Sequence, residues 1–448
     1  MGNIIAVVIF IGMALASATF FILYPGQVFT WYLLFKPIVD GFLEQGATIG
    51  GATLSCSHVP SLIIPSFFAM LAMFHANRLK YLPFKGLIIL YIFLNIVAFF
   101  KEGRFSIDAA GFYIRVIFPM FLFFGVPLFV ESRHSLERVV KIAAISGIFP
   151  CAMIFLQKFG FIRYNREAEM LGSVVYDRAT GGYADSFSVA LPIIISIFFM
   201  LNVIQYNKDN NRPQLLYEIM LGGYLFSLIF TFHRMTYIVV TLAVVVWIYL
   251  NRRMGYAIIL FVVAVVSFST LKVFVPDFFG DIDIVANNTP GVVVLENGDN
   301  IGLSSAALHG RGWLWRKFLV EYFNASFIDQ LVGSYLPGRA PHNDYIRVLF
   351  TVGAFGTAIY LFMLAAIGYR LLSIVRYYSR SGDHLLKNLS QTSLFMFMFY
   401  MLGGVTLTIS LLSTMSWYFW LLVGIITYQH NKERYAERQK MQRVFVMT

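Results

Sequence analysis

Apolar runs of about twenty residues recur along this chain from Ile4 to His430, separated by short polar stretches. About twenty mostly apolar residues is what a helix needs to cross the hydrocarbon core of a bilayer. In lipid, every backbone N–H and C=O must find its partner inside the protein, and a helix does this within a single segment. The runs therefore specify a polytopic all-α membrane protein. Composition agrees: 58% of the 448 residues are hydrophobic and 13% charged, against roughly 25% charged in soluble domains. The length would suggest about three soluble domains, but lipid as solvent makes residues 1–448 one integral membrane domain.

Apolar runs and charge breaks predict twelve helices, near 4–24, 54–74, 82–100, 109–130, 138–157, 187–206, 215–232, 235–250, 255–275, 346–375, 390–412 and 415–430. The first run has no basic region before it and exceeds a signal-peptide core, so it reads as a retained span. Segment 25–53 is interrupted by Pro25, Lys36, Pro37, Asp40 and Glu44 and is expected to be a surface or re-entrant piece. Taken instead as a full span, it would place the N-terminus on the outer side.

Loop charge sets the orientation, because basic connections stay cytoplasmic. Connections near 75–85, 131–141, 207–214, 251–254 and 376–388, with the tail 430–448, carry 18 Lys and Arg in 66 residues. The alternate connections carry 12 in 142. The first set is cytoplasmic and the second faces outward. The net charge of +11 then reflects anionic lipid at the inner leaflet rather than nucleic acid. Cys56 and Cys151 lie in or beside different spans with no ligand spacing around them, so neither a disulfide framework nor a zinc site is indicated.

The connection 276–345 is the only one long enough for structure of its own, and long loops in compact proteins are usually functional. Its first half, rich in Asp, Asn and Gly and including Asp277, Asp281 and Asp283, reads as solvated loop. Residues 313–323 have helical apolar spacing and are expected to form a short helix on the membrane surface.

Loop charge alone puts Arg178, Arg234, Arg311 and His342 on the outer side. Guanidinium groups bind phosphate through a planar, permanently charged fork, so several converging at an interface suit a diphosphate. A neutral imidazole is suited to taking a proton from a hydroxyl at neutral pH. Together they fit glycosyl transfer from a lipid diphosphate. The plainer readings are that an interfacial Arg anchors to headgroups, that His342 caps the next helix, and that His233 and His309 are structural. Arg115 lies inside the fourth predicted span, where an unpaired charge costs at least about 2.5 kcal/mol, and should face a polar cavity. The outer carboxylates Asp177, Asp185, Glu321 and Asp344 match no metal motif and are expected to bridge to the same arginines. There is no Walker loop.

These motifs resemble the bacterial O-antigen ligase and O-antigen polymerase superfamily of membrane glycosyltransferases. The sharpest match is His342-Asn343, nine residues, then Gly353-Ala354-Phe355-Gly356, similar to the ligase family's His-Asn-x9-Gly-x-x-Gly; the two glycines would let this helix pack closely on a neighbour. Arg178-Ala179-Thr180-Gly181 resembles the family's Arg-x-x-Gly. His233-Arg234-Met235-Thr236 resembles its Ser-Arg-Thr turn with His233 in place of Ser, and His309-Gly310-Arg311-Gly312-Trp313 resembles its Gly-Arg element in the large periplasmic loop.

The resemblance implies a glycosyltransferase type C-like fold in the bacterial inner membrane, with a periplasmic site that uses neither nucleotide sugar nor metal nor other cofactor. The donor would be a glycan on undecaprenyl diphosphate, and the acceptor a sugar on a lipid-linked repeat unit or on lipid A core. Arg178 and Arg311 would hold and stabilise the diphosphate, and His342 would activate the acceptor hydroxyl. Arg234, Asn343, His309 and Arg115 would line the substrate site. A chain-length regulator or a flippase would be a protein partner. Polymerase is favoured over ligase on family background, with a protein O-oligosaccharyltransferase as a third member. A lipid-linked oligosaccharide flippase is the competing class; it would need charge along a cavity crossing the midplane, and within the spans the reading counts Arg115 and Lys272.

Overall fold

In the computed structural model the described residues are 19, 24–41, 46–49, 52–55, 58–102, 107–130, 132–162, 167–171, 174–183, 185–231, 233–252, 293–294, 300–301, 311–334 and 341–447. The expected spans 4–24 and 255–275, Lys272, His309 and Asp277 to Asp283 lie largely or wholly outside them. The fold is that of a helical membrane protein. Among the described residues four helical stretches, 110–128, 133–158, 186–209 and 344–381, are long and apolar enough to cross a membrane by length and composition.

Chain order gives α1 (Pro25–Gly41), a hairpin of β1 (Gly46–Ile49) and β2 (Ala52–Ser55), α2 (His58–Phe74), α3 (Lys85–Glu102) and α4 (Ile107–Gly125). Next come α5 (Arg133–Ile145), α6 (Ile148–Lys158), a hairpin of β3 (Glu167–Leu171) and β4 (Val174–Arg178), α7 (Ser186–Asp209), α8 (Leu215–Ile229) and α9 (Arg234–Leu250). After the short pair β5 (Val293–Val294) and β6 (Asn300–Ile301) follow α10 (Arg311–Asn324), α11 (Phe327–Val332), α12 (Asp344–Ser381), α13 (His384–Thr406) and α14 (Ser413–Met447). Each strand pair is antiparallel.

The centre is α7. From Ser186 to Asn207 nearly every side chain is buried, as befits a helix that is apolar all round. It is packed by α5, α6, α8, α9, α13 and α14. Asp185 starts it, its carboxylate accepting from the Ser188 N–H at 2.6 Å, which satisfies one of the unpaired donors of a first turn. The first half of α14 is buried likewise, from Met415 to Tyr428.

The sequence reading made 138–157 one helix, whereas the chain breaks at Ser146–Gly147. Carbonyls freed by a break must be met inside the bundle. The Ala143 carbonyl accepts from the hydroxyls of Ser146 and Ser196, at 2.9 and 3.0 Å, and those of Ala144 and Ile145 accept from Tyr224 at 3.0 and 3.2 Å. Gly147 is required because a Cβ there would lie 2.7 Å from that of Ser196.

Segment 25–41 corrects the expectation of a surface piece. It forms a helix running the depth of the bundle: Gly26 packs by Phe129 at one end and Gly41 by Tyr183 at the other. The polar residues that interrupted the apolar run are buried and paired. Lys36 donates to Asp40 one turn later at 2.5 Å, Thr414 donates to the other Asp40 oxygen, and the Lys36 ammonium lies 5.4 Å from the Trp417 ring. Charges at i and i+4 share a helix face, so a pair enters the interior where a lone charge would not.

The two ends differ. At the end rich in basic loops, Arg133 pairs with Asp383 and Arg212 with Glu137 near the surface, and His384 Nδ1 lies 3.3 Å from Asp209. At the other lie Tyr183, Thr231 and His233 between α8 and α9, residues 341–344 and the loop 407–412.

Candidate functional site

The helix that follows His342 is held by its first residues. Asn343 has extended backbone and caps α12, its Oδ1 accepting from the Ile346 N–H at 3.0 Å, while its Nδ2 donates to the Val405 carbonyl at 2.9 Å. The amide named as a substrate-binding candidate thus serves the fold at both atoms. Asp344 is fully buried; one carboxylate oxygen accepts from Arg347 Nε at 2.9 Å and Ser410 Oγ at 2.6 Å, the other from Tyr360 at 3.0 Å. Arg347 Nη2 donates to Ser410 at 2.7 Å, and the guanidinium lies over Phe112.

Against this buried clamp, His342 is exposed and adopts φ +48°, a left-handed conformation that costs a non-glycine residue about 1–2 kcal/mol. Its predecessor is tied to the long loop: Trp315 Nε1 donates to the Pro341 carbonyl at 2.9 Å. Trp315 is one turn into α10, whose first residue is Arg311. Arg311 and His342, both within the connection 276–345, are so brought to one neighbourhood by a side-chain-to-backbone hydrogen bond.

Arg178 ends β4, opposite Glu167 in the hairpin register, and is half-buried. The next N–H, of Ala179, donates to the Phe230 carbonyl at 3.0 Å, which sets this strand end beside the turn leading into α9. Gln157 Oε1 accepts from the N–H groups of Thr180 and Gly181 at 3.0 and 2.7 Å, fixing a turn in which Gly181 has φ +57° and faces the Val189 methyl. The glycine of the Arg-x-x-Gly match has a local reason here. In the turn, the His233 ring lies 4.6 Å from that of Phe187, and its Nδ1 is 3.3 Å from Thr236 Oγ1. Arg234 is the first residue of α9.

A belt of contacts connects the two neighbourhoods. Ser410 bonds Asp344, Thr414 in the next turn bonds Asp40, Tyr183 donates to the Pro37 carbonyl, and Tyr183 lies in the turn after Arg178. Arg178, Arg234, Arg311 and His342 therefore occupy the same end of the bundle. His309 lies outside the described residues. Arg115 is exposed on the flank of α4.

Two sequence expectations are corrected. The outer carboxylates were expected to bridge to these arginines, but Asp344 pairs with Arg347 and Asp185 caps α7. The count of charges within spans missed Arg347, which is buried, and Arg370, which donates to Asn431. The spacing Asp344 to Arg347, one helical turn, was the available signal. Among the described residues no three His, Cys, Asp or Glu side chains group as for a metal. The expectation of close packing at two glycines is met at Gly353, where a Cβ would lie 2.4 Å from the Leu331 carbonyl carbon of α11, but not at Gly356, where a Cβ would meet the Val352 side chain of the same helix. Searches against protein-family models give no match, and no curated protein matches the sequence.

Proposed function

We propose that the chain is a membrane glycosyltransferase of the O-antigen polymerase and ligase type, with a glycosyltransferase type C-like fold of about twelve spans and its site on the periplasmic face of the bacterial inner membrane. With α1 counted as a crossing, the N-terminus is on the outer side. The observation that carries the reading is that Ala179 on Phe230, Trp315 on Pro341, and the belt from Asp344 to Tyr183 gather motifs from residues 178 to 342 at one end of the bundle. That end is also the one that loop charge assigns to the outside.

The chemistry follows from the side chains. The acceptor hydroxyl oxygen attacks the anomeric carbon of a glycan on undecaprenyl diphosphate, the carbon–oxygen bond to the diphosphate breaks, and the lipid diphosphate leaves. Arg178 and Arg311 stabilise its growing charge, where preorganised cations act most strongly. The exposed His342 takes the hydroxyl proton. Arg234 adds charge to the same pocket. The acceptor is a second lipid-linked repeat unit, which makes the enzyme a polymerase; lipid A core as acceptor would make it a ligase.

The flippase reading is weaker, because the buried charges Lys36, Asp40, Asp344 and Arg347 stand towards one end rather than along a path through the midplane. The deciding experiment is transfer by the purified protein from lipid-diphosphate-linked repeat units, with and without lipid A core, comparing wild type with His342→Ala and Arg311→Ala. Ladders from repeat units alone, lost in both variants, support the polymerase; products that need lipid A core identify a ligase. No transfer, with donor flipping in liposomes that survives both substitutions, overturns the enzyme.

A further inference from the structure

We infer that α10 and α11 form a membrane-embedded paddle, seated in the headgroup–acyl boundary of the leaflet at the His342 end, and that the bilayer itself is their partner. This rests only on the chain being in a membrane and is independent of the glycosyltransferase reading.

Five apolar side chains point away from the bundle: Val320 (51% exposed), Phe323 (69%), Phe327 (76%), Ile328 (64%) and Leu331 (44%). Val320 and Phe323 are three residues apart on α10, and Phe327 and Ile328 precede Leu331 by four and three on α11, so each helix leaves an apolar face uncovered on its side of the turn capped by Ser326. The opposite side is occupied: Phe318 and Tyr322 pack on Phe350. Exposed Arg316, Lys317 and Glu321 flank these residues at the end nearer His342. An apolar face edged by basic residues is the composition of a helix lying in the interface plane.

Continuity identifies the occupant. On α3 the outward-facing residues Phe93, Ile96 and Phe100 run along the helix, and the next residue, Lys101, donates to Asp329 at 2.6 Å and to the Gly333 carbonyl at 2.7 Å. On α12 the exposed Phe355 follows Gly353, against which α11 ends. The outward flanks of two bundle helices thus adjoin the paddle's apolar face, α3 through the Lys101–Asp329 ion pair and α12 through the Gly353 contact. A surface that continues the lipid-facing belt is covered by lipid. Because Trp315 of the same paddle holds Pro341, the depth of this seat also sets the depth of His342.

The test uses the full-length protein in phosphatidylethanolamine and phosphatidylglycerol vesicles. On a Cys56→Ser, Cys151→Ala parent, Phe327→Cys, Leu331→Cys and Lys317→Cys are labelled singly with an environment-sensitive fluorophore. The expected result is blue-shifted emission at 327 and 331, quenched more by nitroxide-bearing lipid than by aqueous iodide, with the reverse at 317. Wet emission and iodide quenching at 327 and 331, in variants that elute as wild type, overturns the seat. Blue-shifted emission without quenching by lipid nitroxide also overturns it, by showing that protein, a second copy or another partner, covers the face.

Discussion

Alanine at Gly353 tests how the long loop is fastened to the bundle. Gly353 has φ +67° and ψ −174° within α12, a region of backbone space used essentially by glycine, and forcing another residue there costs about 1–3 kcal/mol. The added methyl carbon would lie 2.4 Å from the carbonyl carbon and oxygen of Leu331 and 2.5 Å from the Gly333 nitrogen. Those are backbone atoms, so no rotamer change relieves the clash, and overpacking of this kind costs about 1–3 kcal/mol more. The sum is roughly 2–6 kcal/mol, directed at the contact between α11 and α12. Two other glycines separate the components. Gly382 has φ +76° with nothing within 4 Å of a Cβ, so Gly382→Ala carries the backbone cost alone, about 1–2 kcal/mol. Gly222 is helical and open on the same criterion, so Gly222→Ala gains up to about 1 kcal/mol of helix propensity. Thermal midpoints of the detergent-solubilised protein should rank Gly222→Ala at or above wild type, then Gly382→Ala, then Gly353→Ala well below. Limited proteolysis should cut α10–α11 faster in Gly353→Ala alone. A Gly353→Ala protein as stable and as resistant as Gly382→Ala would refute the backbone contact.

Arg347→Met or Asp344→Asn alone should destabilise by about 3–5 kcal/mol, because each leaves a buried partner uncompensated, while the double variant should recover much of the loss; thermal midpoints that simply add would refute the coupling. Gln157→Leu strips the acceptor from two N–H groups, at Thr180 and Gly181, at about 1–3 kcal/mol for each buried donor left unmet, and hydrogen exchange at those amides should rise. The hydrogen bonds from Lys101 and then Ser326 hold Asp329 below its ordinary carboxylate range. A depressed pKa gives stability that is present above the unfolded value, about 3.9, and lost as pH falls through the folded value. With both side chains about a third exposed, this is worth only about 0.2–1 kcal/mol. Protease resistance of α11 should therefore fall below about pH 4 in wild type and be flat in Asp329→Asn.

Much of the bundle could be read from the chain because the quantity that selects it is local. The apolar run of α7 needs no partner to be recognised, and Gly353 announces a close approach wherever it falls. What packs there could not be read, because Leu331 and Gly333 belong to a segment whose own pattern says nothing about α12. Lys36 and Asp40 were misjudged for a related reason. Each alone argues against burial, and the neutralising pair is visible only once the helix and Thr414, far along the sequence, are in place. Asp344 was assigned to distant arginines when its partner was one turn away. Arg178 and Arg311 were legible as motifs, but their common end of the bundle depends on carbonyls far along the chain, of Phe230 for the Ala179 N–H and of Pro341 for the Trp315 indole, and nothing in the sequence pattern says which carbonyl each donor meets.

The break at Ser146–Gly147 bears on how the protein is made. Its open carbonyls accept from Ser196 and Tyr224, both of which leave the ribosome after α5 and α6. Until α8 enters the membrane, the Ala144 and Ile145 carbonyls require water or a translocon side chain. The hinge is therefore completed late in synthesis: the Ser146 hydroxyl meets the Ala143 carbonyl from within the segment and Ser196 adds a second donor, but the next two carbonyls are closed only by Tyr224.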